Sequence, residues 1–388
     1  MKKLQLIETP HWITIAHLPK WRTEQKNRLI VKIFHERKSN FEEFFSLSES
    51  EWRKDFGLSE MELISLEKAK EELANNSFYA EDLISQGFEI IPINSTDFSN
   101  TLKKNLKVKH TPPVIYAKGN KQLLLENSVA IVGSRKASKI SLDFTDSISK
   151  KASKEFKVVV SGFAKGVDRQ ALDSALKYKG QSIIVLPQGI TTFKSGFKKY
   201  YKEIVEGNLL VLSTFHPRAK WSVGFAMARN PIIYGLANEI YVAESSEKGG
   251  TWEGVKDGLK KGRSIYVRFP NPKEKNANFI LIQKGAIPVD FNGKKVVNGS
   301  YKTPEVTTEK FKEPALTLVK KEVTLNNDSL FELLKENAFS SKEIINKLQL
   351  DWSTRKMTSY LKRLENIEVL KSKPLKFRLK NNEIKTFF

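Results

Sequence analysis

Short apolar runs rich in β-branched residues alternate with helix-length amphipathic stretches throughout residues 86–300. The runs lie at 129–132, 158–160, 183–186, 209–212, 240–243 and 265–267. Strands that are apolar at every position are buried on both faces, so helices must cover both sides of a parallel sheet. Because crossovers between parallel strands are right-handed, the pattern predicts an α/β fold with an extended Rossmann-like, doubly wound sheet.

One connecting stretch, residues 140–156, shows the helical periodicity most clearly. Its apolar residues fall at Leu142, Phe144, Ile148, Ala152 and Phe156. This spacing places them on one side of a helix, which we expect to face the sheet.

Two smaller regions flank the α/β region. Residues 1–85 predict a helical N-terminal domain, in which Ser59 and Glu62 form a capping box before the apolar positions Leu63 and Leu66. Residues 301–325 are polar and charged, contain two prolines and predict a linker. Residues 326–388 form a separate basic module.

The C-terminal module predicts a winged-helix domain. Helices are expected at 329–336, 341–348 and 353–364, followed by strands at 368–370 and 375–379. Three helices followed by a hairpin are typical of winged helices, whose third helix commonly enters a DNA groove.

Cations fall on the outer positions of the third helix and of the last strand. The predicted DNA-binding residues of this module are Arg355, Lys356, Lys362, Arg363, Lys376 and Arg378. The inward positions of the strand are Leu375, Phe377 and Leu379. A solvated face would carry the same cations, but two outward-facing cationic elements favour nucleic acid.

The charge of the whole chain also favours a polyanionic partner. Lys and Arg number 66 against 44 Asp and Glu, giving a formal net charge of +22. Neutralising phosphates releases counterions, so basic proteins bind nucleic acid readily. A lysine-rich composition inherited from the genome is the alternative explanation.

Three loops follow strands of the predicted sheet and suit phosphate. They contain Gly133, Ser134 and Arg135; Ser161, Gly162, Lys165 and Gly166; and Gly249, Gly250 and Thr251. Glycines allow backbone N–H groups to approach an anion, and the helix N-terminus behind each loop adds a partial positive charge. For one loop alone, a tight turn is the simpler interpretation; three converging loops favour an anion site.

Several ligand classes are excluded or disfavoured. The chain has no GxxxxGK[ST] phosphate loop, no GxGxxG after the first strand, and no cysteine. Its five histidines lack metal-site spacing, so we expect no metal and no cofactor. Glu244 and Glu253 could act as acid and base or as a metal pair, but we favour a protein that is not an enzyme. Asp168 more naturally braces the following helix.

The chain also lacks the long apolar segments of signal peptides and membrane spans. We therefore expect a cytoplasmic protein with no membrane partner.

Three segments resemble the DNA-processing protein A (DprA/Smf) family. SVAIVGSRKAS at 128–138, VVSGFAKGVDRQAL at 159–172 and ARNPIIYGLANEIYVAES at 228–245 match its signatures in order. The segment at 88–120, ending PPVIYAKGN, resembles the region that leads into the family fold. Within the third segment we add Arg229 and Asn230 to the predicted DNA-binding residues.

The resemblance implies an extended Rossmann fold that binds single-stranded DNA without cleaving it. It also implies a homodimer that helps to load a RecA-type recombinase in recombination or transformation. The family's DNA-contacting cations correspond to Arg135 and Lys165.

The chain departs from the family at several positions. Leu172 replaces a histidine, Pro231 replaces an arginine, and 187–189 replace a Gly-Ser-Gly type turn. The string GGTWEG also partly resembles the loop of LOG-type phosphoribohydrolases. A divergent role in defence, or an enzyme or sensor for a nucleotide-derived small molecule, is therefore the alternative.

Overall fold

The computed structural model describes residues 2–296 and, in the C-terminal region, residues 327–379 except 351, 363, 365, 371, 373 and 374. The chain divides into two compact units, Met1–Pro304 and Glu305–Phe388. The predicted linker at 301–325 lies outside the described residues.

Nine strands of the first unit form one mostly parallel sheet, in the order β1-β2-β6-β5-β4-β3-β7-β8-β9. Their bounds are β1 (Glu89–Pro92), β2 (Val114–Gly119), β3 (Ser128–Gly133), β4 (Val158–Ser161), β5 (Ser182–Val185), β6 (Leu209–Ser213), β7 (Glu239–Glu244), β8 (Ile265–Arg268) and β9 (Ile287–Val289). The strands build outward from β3 to β6, and the chain then returns to place β7 on the other side of β3. The α/β class and the six predicted strands are confirmed.

One strand, β2, runs against the rest of the sheet. It pairs antiparallel with β6 on one side and with β1 on the other, so β1 runs in the same direction as the parallel strands. The expectation of an entirely parallel sheet was wrong at this edge. The apolar pattern missed β1 and β2 because β1 begins with Glu89 and ends on Pro92, while β2 ends in Lys118 and Gly119.

Helices cover both faces of the sheet. In the first unit they are α1 (Lys2–Ala16), α2 (Thr23–Val31), α3 (Phe41–Ser46), α4 (Glu49–Phe56), α5 (Glu60–Glu71), α6 (Leu73–Ser85), α7 (Asn100–His110), α8 (Lys139–Lys154), α9 (Val167–Lys177), α10 (Lys194–Lys199), α11 (Tyr201–Val205), α12 (Val223–Ala228), α13 (Asn230–Leu236), α14 (Gly250–Lys260) and α15 (Asn278–Gln283). Ala130 and Val132 pack with α7, α13 and α14, whereas Val129 and Ile131 pack with α8 and α9. This alternation explains why the strands are apolar at every position. No helix among the described residues has the length and apolarity that crossing a bilayer requires.

The N-terminal helices share a hydrophobic core with the sheet. Trp12, Phe44 and Trp52 belong to the same buried cluster as Leu209 and Val211 of β6. The capping box predicted at the start of α5 is confirmed: the Ser59 backbone N–H donates to the Glu62 carboxylate at 3.0 Å.

Helix α8 confirms the predicted stripe except at its end. Phe144, Ile148 and Ala152 are buried. Phe156 was expected to face inward but is 89% exposed. The helix ends at Lys154, and Phe156 lies beyond it with a φ of +54°, so it leaves the helical spacing.

The described residues of the second unit form three helices and a three-stranded antiparallel sheet. The elements are α16 (Asn327–Glu336), β10 (Phe339–Ser340), α17 (Ser341–Lys347), α18 (Thr354–Leu361), β11 (Ile367–Leu370) and β12 (Lys376–Leu379), with the strand order β10-β12-β11. Met357, Leu361 and Phe377 are fully buried in its core. Leu375 was expected to pack inward but precedes β12 and is 40% exposed.

Candidate functional site

A cavity of about 470 Å³ lies at the carboxyl ends of β3, β4 and β7. Its lining includes Gly133, Ser134, Arg135, Lys136, Ala164, Asp168, Met227, Arg229, Asn230, Tyr234, Lys248, Gly249, Gly250 and Thr251. β3 and β7 are neighbours at the point where the strand order reverses. Crevices at such switch points are the usual ligand sites of open α/β sheets.

The loops after β3 and β4 touch each other. Gly166 has a φ of +79°, and a Cβ at this position would lie 2.3 Å from the Ser134 carbonyl oxygen. The next backbone N–H, that of Val167, donates to the same carbonyl at 3.3 Å. Gly166 therefore permits a contact that brings the loops of Arg135 and Lys165 together.

Exposed cations surround the cavity. Arg135, Lys136 and Lys248 are exposed and line it. Lys165 is also exposed, on the neighbouring loop, but lies outside the cavity lining. Among the described residues, none of these four side chains has a carboxylate partner within 4 Å. Their charges are therefore available to an anion.

Arg229 lies beneath the cavity, paired with Asp168. Arg229 is 3% exposed, its Nη2 lies 3.9 Å from Asp168 Oδ2, and its Nη1 donates to the Val185 carbonyl oxygen at 3.2 Å. Burial raises the pKa of Asp168, opposed by Arg229, by backbone N–H groups of Ala164 and Gly162, and by Arg135. Arg229, a predicted phosphate-binding residue, lines the cavity but is buried and lies against Asp168 and the Val185 carbonyl.

The start of the second loop is buried as well. Ser161 has no exposed surface, and its hydroxyl donates to the Asp168 carbonyl oxygen at 2.6 Å. A Cβ on Gly162 would lie 1.7 Å from Arg229 Nη1. Ser161 and Gly162 thus shape the loop from below, and only its later residues reach the surface.

The third loop presents the N-terminus of α14. The backbone N–H groups of Gly250 and Thr251 have no acceptor among the described residues, as is usual in a first helical turn. Thr251 Oγ1 donates to the Gly133 carbonyl oxygen at 3.1 Å and joins this loop to the first. Gly250 leaves room for the Asn230 side chain, because a Cβ at this position would lie 2.5 Å from Asn230 Nδ2. The loop thus offers N–H groups to an anion.

The carboxylates considered for catalysis do not come together at the cavity. Glu244 Oε2 accepts hydrogen bonds from the backbone N–H of Ser138 and from the hydroxyls of Ser138 and Ser141, at 3.0, 2.6 and 2.8 Å. Glu253 is exposed on α14 and lies 3.5 Å from Lys256 Nζ. Within the described residues, no group of three or more metal-ligating side chains could hold an ion.

The predicted cations of the C-terminal module are only partly described. Lys362 and Arg378 are exposed, and Lys376 is half-buried. Arg378 Nε donates to Glu368 Oε2 of the neighbouring strand at 2.7 Å, so part of its charge is compensated. Arg363 and the side chains of Arg355 and Lys356 lie outside the described residues.

Sequence reasoning missed several residues of the cavity. Lys136 and Lys248 lie next to the predicted loops, and their proximity to Arg135 and Gly249 could have indicated them. Met227 and Tyr234 come from α12 and α13, and only the packing of these helices brings them to the cavity.

The amino-acid sequence of this chain matches a known family and several characterised proteins. The family described as DNA recombination-mediator protein A matches residues 89–298. The DNA processing protein DprA of Streptococcus pneumoniae is 31% identical over 161 residues, covering 42% of this chain and 57% of that protein. The DprA of Bacillus subtilis is 28% identical over 183 residues, covering 47% of this chain and 61% of that protein. The matches thus span less than two thirds of both relatives.

A solved structure shares the fold. The X-ray structure of DNA processing protein A from Streptococcus pneumoniae has a TM-score of 0.54 and 23% identity, and the match covers 72% of this chain and 93% of that one. The family match extends over more than half of the chain, from β1 to the end of the described part of the first unit. The chain belongs to the DNA recombination-mediator protein A family, as a divergent DprA/Smf member.

Proposed function

We propose that this protein binds single-stranded DNA at the carboxyl edge of its sheet, with little sequence preference. The observation that carries the proposal is the charge of the cavity lining. Arg135, Lys136 and Lys248 contribute three exposed cations, whereas Asp168, the one carboxylate among the described lining residues, is paired with buried Arg229. Backbone phosphates are the polyanion that such a surface attracts, and they carry no sequence information.

The three predicted loops divide this task. Arg135 provides a planar fork for a phosphate, and Lys165 provides a mobile point charge. The first turn of α14 offers N–H groups, with the positive end of the helix dipole behind them. Asp168 and Arg229 act below as positioning residues.

We propose that the protein binds single-stranded DNA without catalysing a reaction on it. A phosphoribohydrolase would need a carboxylate directed at a sugar. Glu244 is held by two serines and Glu253 lies beside Lys256 on α14. These positions give no support to the alternative of an enzyme for a nucleotide-derived molecule.

We propose that the C-terminal unit is a winged helix that adds a second, auxiliary DNA contact. Its element order, three helices with a short strand and a β-hairpin, supports this assignment. Exposed Lys362 and Arg378 are its described cations.

The cellular role we propose follows the family. The protein protects single-stranded DNA and assists a RecA-type recombinase during DNA uptake or recombination, as a homodimer. A role in defence is the alternative, supported by the departures at Leu172 and Pro231.

A salt titration with single- and double-stranded oligonucleotides tests the proposed binding. We expect the affinity for single strands to fall steeply with salt, with a slope of about 0.7 per phosphate contact. A flat salt response, or no binding at low salt, would contradict the proposal.

A further inference from the structure

A basic segment at residues 103–110, sequence KKNLKVKH, ends helix α7 and has no role in the site described above. It contains Lys103, Lys104, Lys107, Lys109 and His110, and no acidic residue occurs between Asp97 and Glu126. Lys104, Lys107, Lys109 and His110 are exposed. Across the described parts of the chain, no carboxylate lies within 4 Å of the amino groups of these three lysines. Their charges remain uncompensated.

The backbone of this basic segment is held in a fixed, strained shape. Lys107 has a φ of +57°, a conformation that favours glycine. Buried Asn27 donates from Nδ2 to the carbonyl oxygens of Val108 and Thr111, at 2.7 and 2.8 Å. Thr111 donates from its hydroxyl and its backbone N–H to the Lys107 carbonyl oxygen, at 2.7 and 3.0 Å. These contacts fix the turn and keep its lysines clustered.

The two ends of the basic segment lie toward opposite edges of the sheet. Lys104 lies beside Ala237, Asn238 and Arg263, just before the starts of β7 and β8. The C-terminal end, from Lys107 to His110, lies at the same edge as the candidate site. It leads into β2, which begins at Val114 and runs antiparallel to β6, with Tyr116 opposite Ser213 at the end of β6. The start of β2 therefore lies at the carboxyl ends of the parallel strands, where the loops of Arg135 and Lys165 are also found.

A second cavity, of about 280 Å³, connects the site with α7. It shares Met227, Asn230, Tyr234 and Gly250 with the first cavity and extends to Asn105 and Leu106 on α7. Glu253 and Asp257 also line it. Glu253 Oε1 lies 3.5 Å from Lys256 Nζ, and Asp257 Oδ2 lies 2.6 Å from Lys261 Nζ. Lys261 and Arg263 also line the cavity, so its two carboxylates and two cations leave it without net charge.

We infer that the basic segment is a second phosphate contact for single-stranded DNA that has already bound at the three loops. The inference rests on the proposed function and extends it. A strand anchored at Arg135 continues past the second cavity, and its phosphates reach Lys107 and Lys109. Short strands end before the segment, so the contact is made only by longer ones.

Two oligonucleotide lengths test this inference. The unaltered protein is compared with Lys107→Gln/Lys109→Gln on single strands of about 6 and about 20 nucleotides, within the range of known single-strand sites and beyond it. We expect roughly tenfold weaker binding of the long strand at low salt, a salt slope shallower by about 1.4, and no change for the short strand. Lys109→Gln alone leaves the strained Lys107 position unaltered and provides an independent variant if the first fails to fold, with a salt slope shallower by about 0.7 for the long strand.

A matched control removes two exposed lysines from the opposite edge of the sheet, Lys154→Gln/Lys179→Gln, which lie at the ends of α8 and α9. It should bind both strands as the unaltered protein does. Equal losses for both lengths, equal losses in this control, or no loss in the segment variants would overturn the inference while the proposed function stands. Absence of any DNA binding by the unaltered protein would overturn both.

Discussion

At the level of single residues, two arginines of the site differ in their exposure to solvent. Arg135 is exposed at the cavity, whereas Arg229 is 3% exposed beneath it. Burial lowers the pKa of Arg229, which Asp168 opposes and Arg135 reinforces. An exposed arginine can exchange bound water for a phosphate group. A buried arginine depends on its ion-pair and hydrogen-bond partners, and their loss destabilises the fold. Arg135 is therefore the residue to test for binding, and Arg229 for stability.

Replacing Arg135 and Lys165 by alanine tests their joint role in binding. Each change should weaken single-strand binding by on the order of 1.5–3 kcal/mol, because each removes a charge-assisted contact. The double variant should show a shallower salt slope. Exposed loop cations contribute little to stability, so the free energy of unfolding should stay within about 0.5 kcal/mol of that of the unaltered protein. Altered melting with unchanged binding would mean that these loops serve only as turns.

Changing Gly162 to alanine tests the support beneath the loop. The new methyl group would lie 1.7 Å from Arg229 Nη1 and 2.4 Å from Asp168 Oδ2, so the buried pair must move. We expect a loss of about 1–3 kcal/mol in the free energy of unfolding, measured by chemical denaturation. Gly224→Ala is the control, because the nearest atom, Ser222 Oγ, is 3.8 Å away. Equal stability of the two variants would contradict the prediction.

At the element scale, Glu244 joins the end of β7 to the start of α8. Its carboxylate accepts from the backbone N–H and hydroxyl of Ser138 and from the hydroxyl of Ser141. Arg268, 1% exposed, donates to the same Ser141 hydroxyl at 3.2 Å. These contacts give Glu244 a structural role in holding a helix against its strand.

Glu244→Ala should therefore lower the free energy of unfolding by about 1–3 kcal/mol, because the buried Ser141 hydroxyl and the exposed groups of Ser138 lose their acceptor. Glu253→Ala, at an exposed carboxylate on α14, should stay within about 0.5 kcal/mol of the unaltered protein. Thermal or chemical denaturation of both variants measures the difference. A stable Glu244→Ala protein, or nucleotide hydrolysis abolished by either change, would favour the enzymatic alternative.

At the scale of the whole molecule, a histidine cluster joins the N-terminal helices to the sheet. His17 shares a 2.8 Å hydrogen bond with the Tyr116 hydroxyl on β2, and its ring lies 5.1 Å from that of His216. Tyr79 stacks on His216, and Arg218 lies over Tyr79. Burial lowers the pKa of His17 to about 3, with further contributions from His216 and Lys26. Burial also lowers the pKa of His216.

This cluster predicts a loss of stability in mild acid. Between pH 6.5 and pH 3 the unfolded state binds more protons at His17 than the folded state, so stability decreases as the pH falls. From pH 7 to pH 5 the loss from His17 alone is about 2 kcal/mol. Denaturation at both pH values measures it, and His17→Gln should reduce the difference. Exposed His35→Gln is the control, and an unchanged pH dependence in the His17 variant would show that other groups are responsible.

The division into two compact units predicts that residues 1–300 fold without the C-terminal module. The hydrophobic clusters of the first unit and of the second have no described residue in common. The truncated protein should keep its helical circular dichroism, a cooperative melting transition and binding of single-stranded DNA. An insoluble or unfolded product would show that the boundary is misplaced.

Elements with local signals can be predicted from the amino-acid sequence alone. Continuous apolar runs predicted six strands, because burial on both faces leaves no room for polar positions. Glycines beside Arg135, Lys165 and Thr251 marked the three loops. The strands β1 and β2 were missed because Glu89 and Pro92 interrupt the apolar run of the first, and Lys118 and Gly119 that of the second. Phe156 was misplaced because the periodicity does not show where a helix ends.

The tertiary structure decided which of the predicted residues meet and which are buried. Arg229 pairs with Asp168, 61 positions earlier in the sequence, and Asn27 fixes the turn at Val108, 81 positions later. Neither contact leaves a periodic pattern in the chain. Hydrophobic spacing indicates only which face of a helix or strand is apolar. Polar contacts between distant residues depend on how the elements pack against one another. The C-terminal end of the basic segment therefore became part of a candidate surface only when the antiparallel β2 placed it at the carboxyl edge of the sheet.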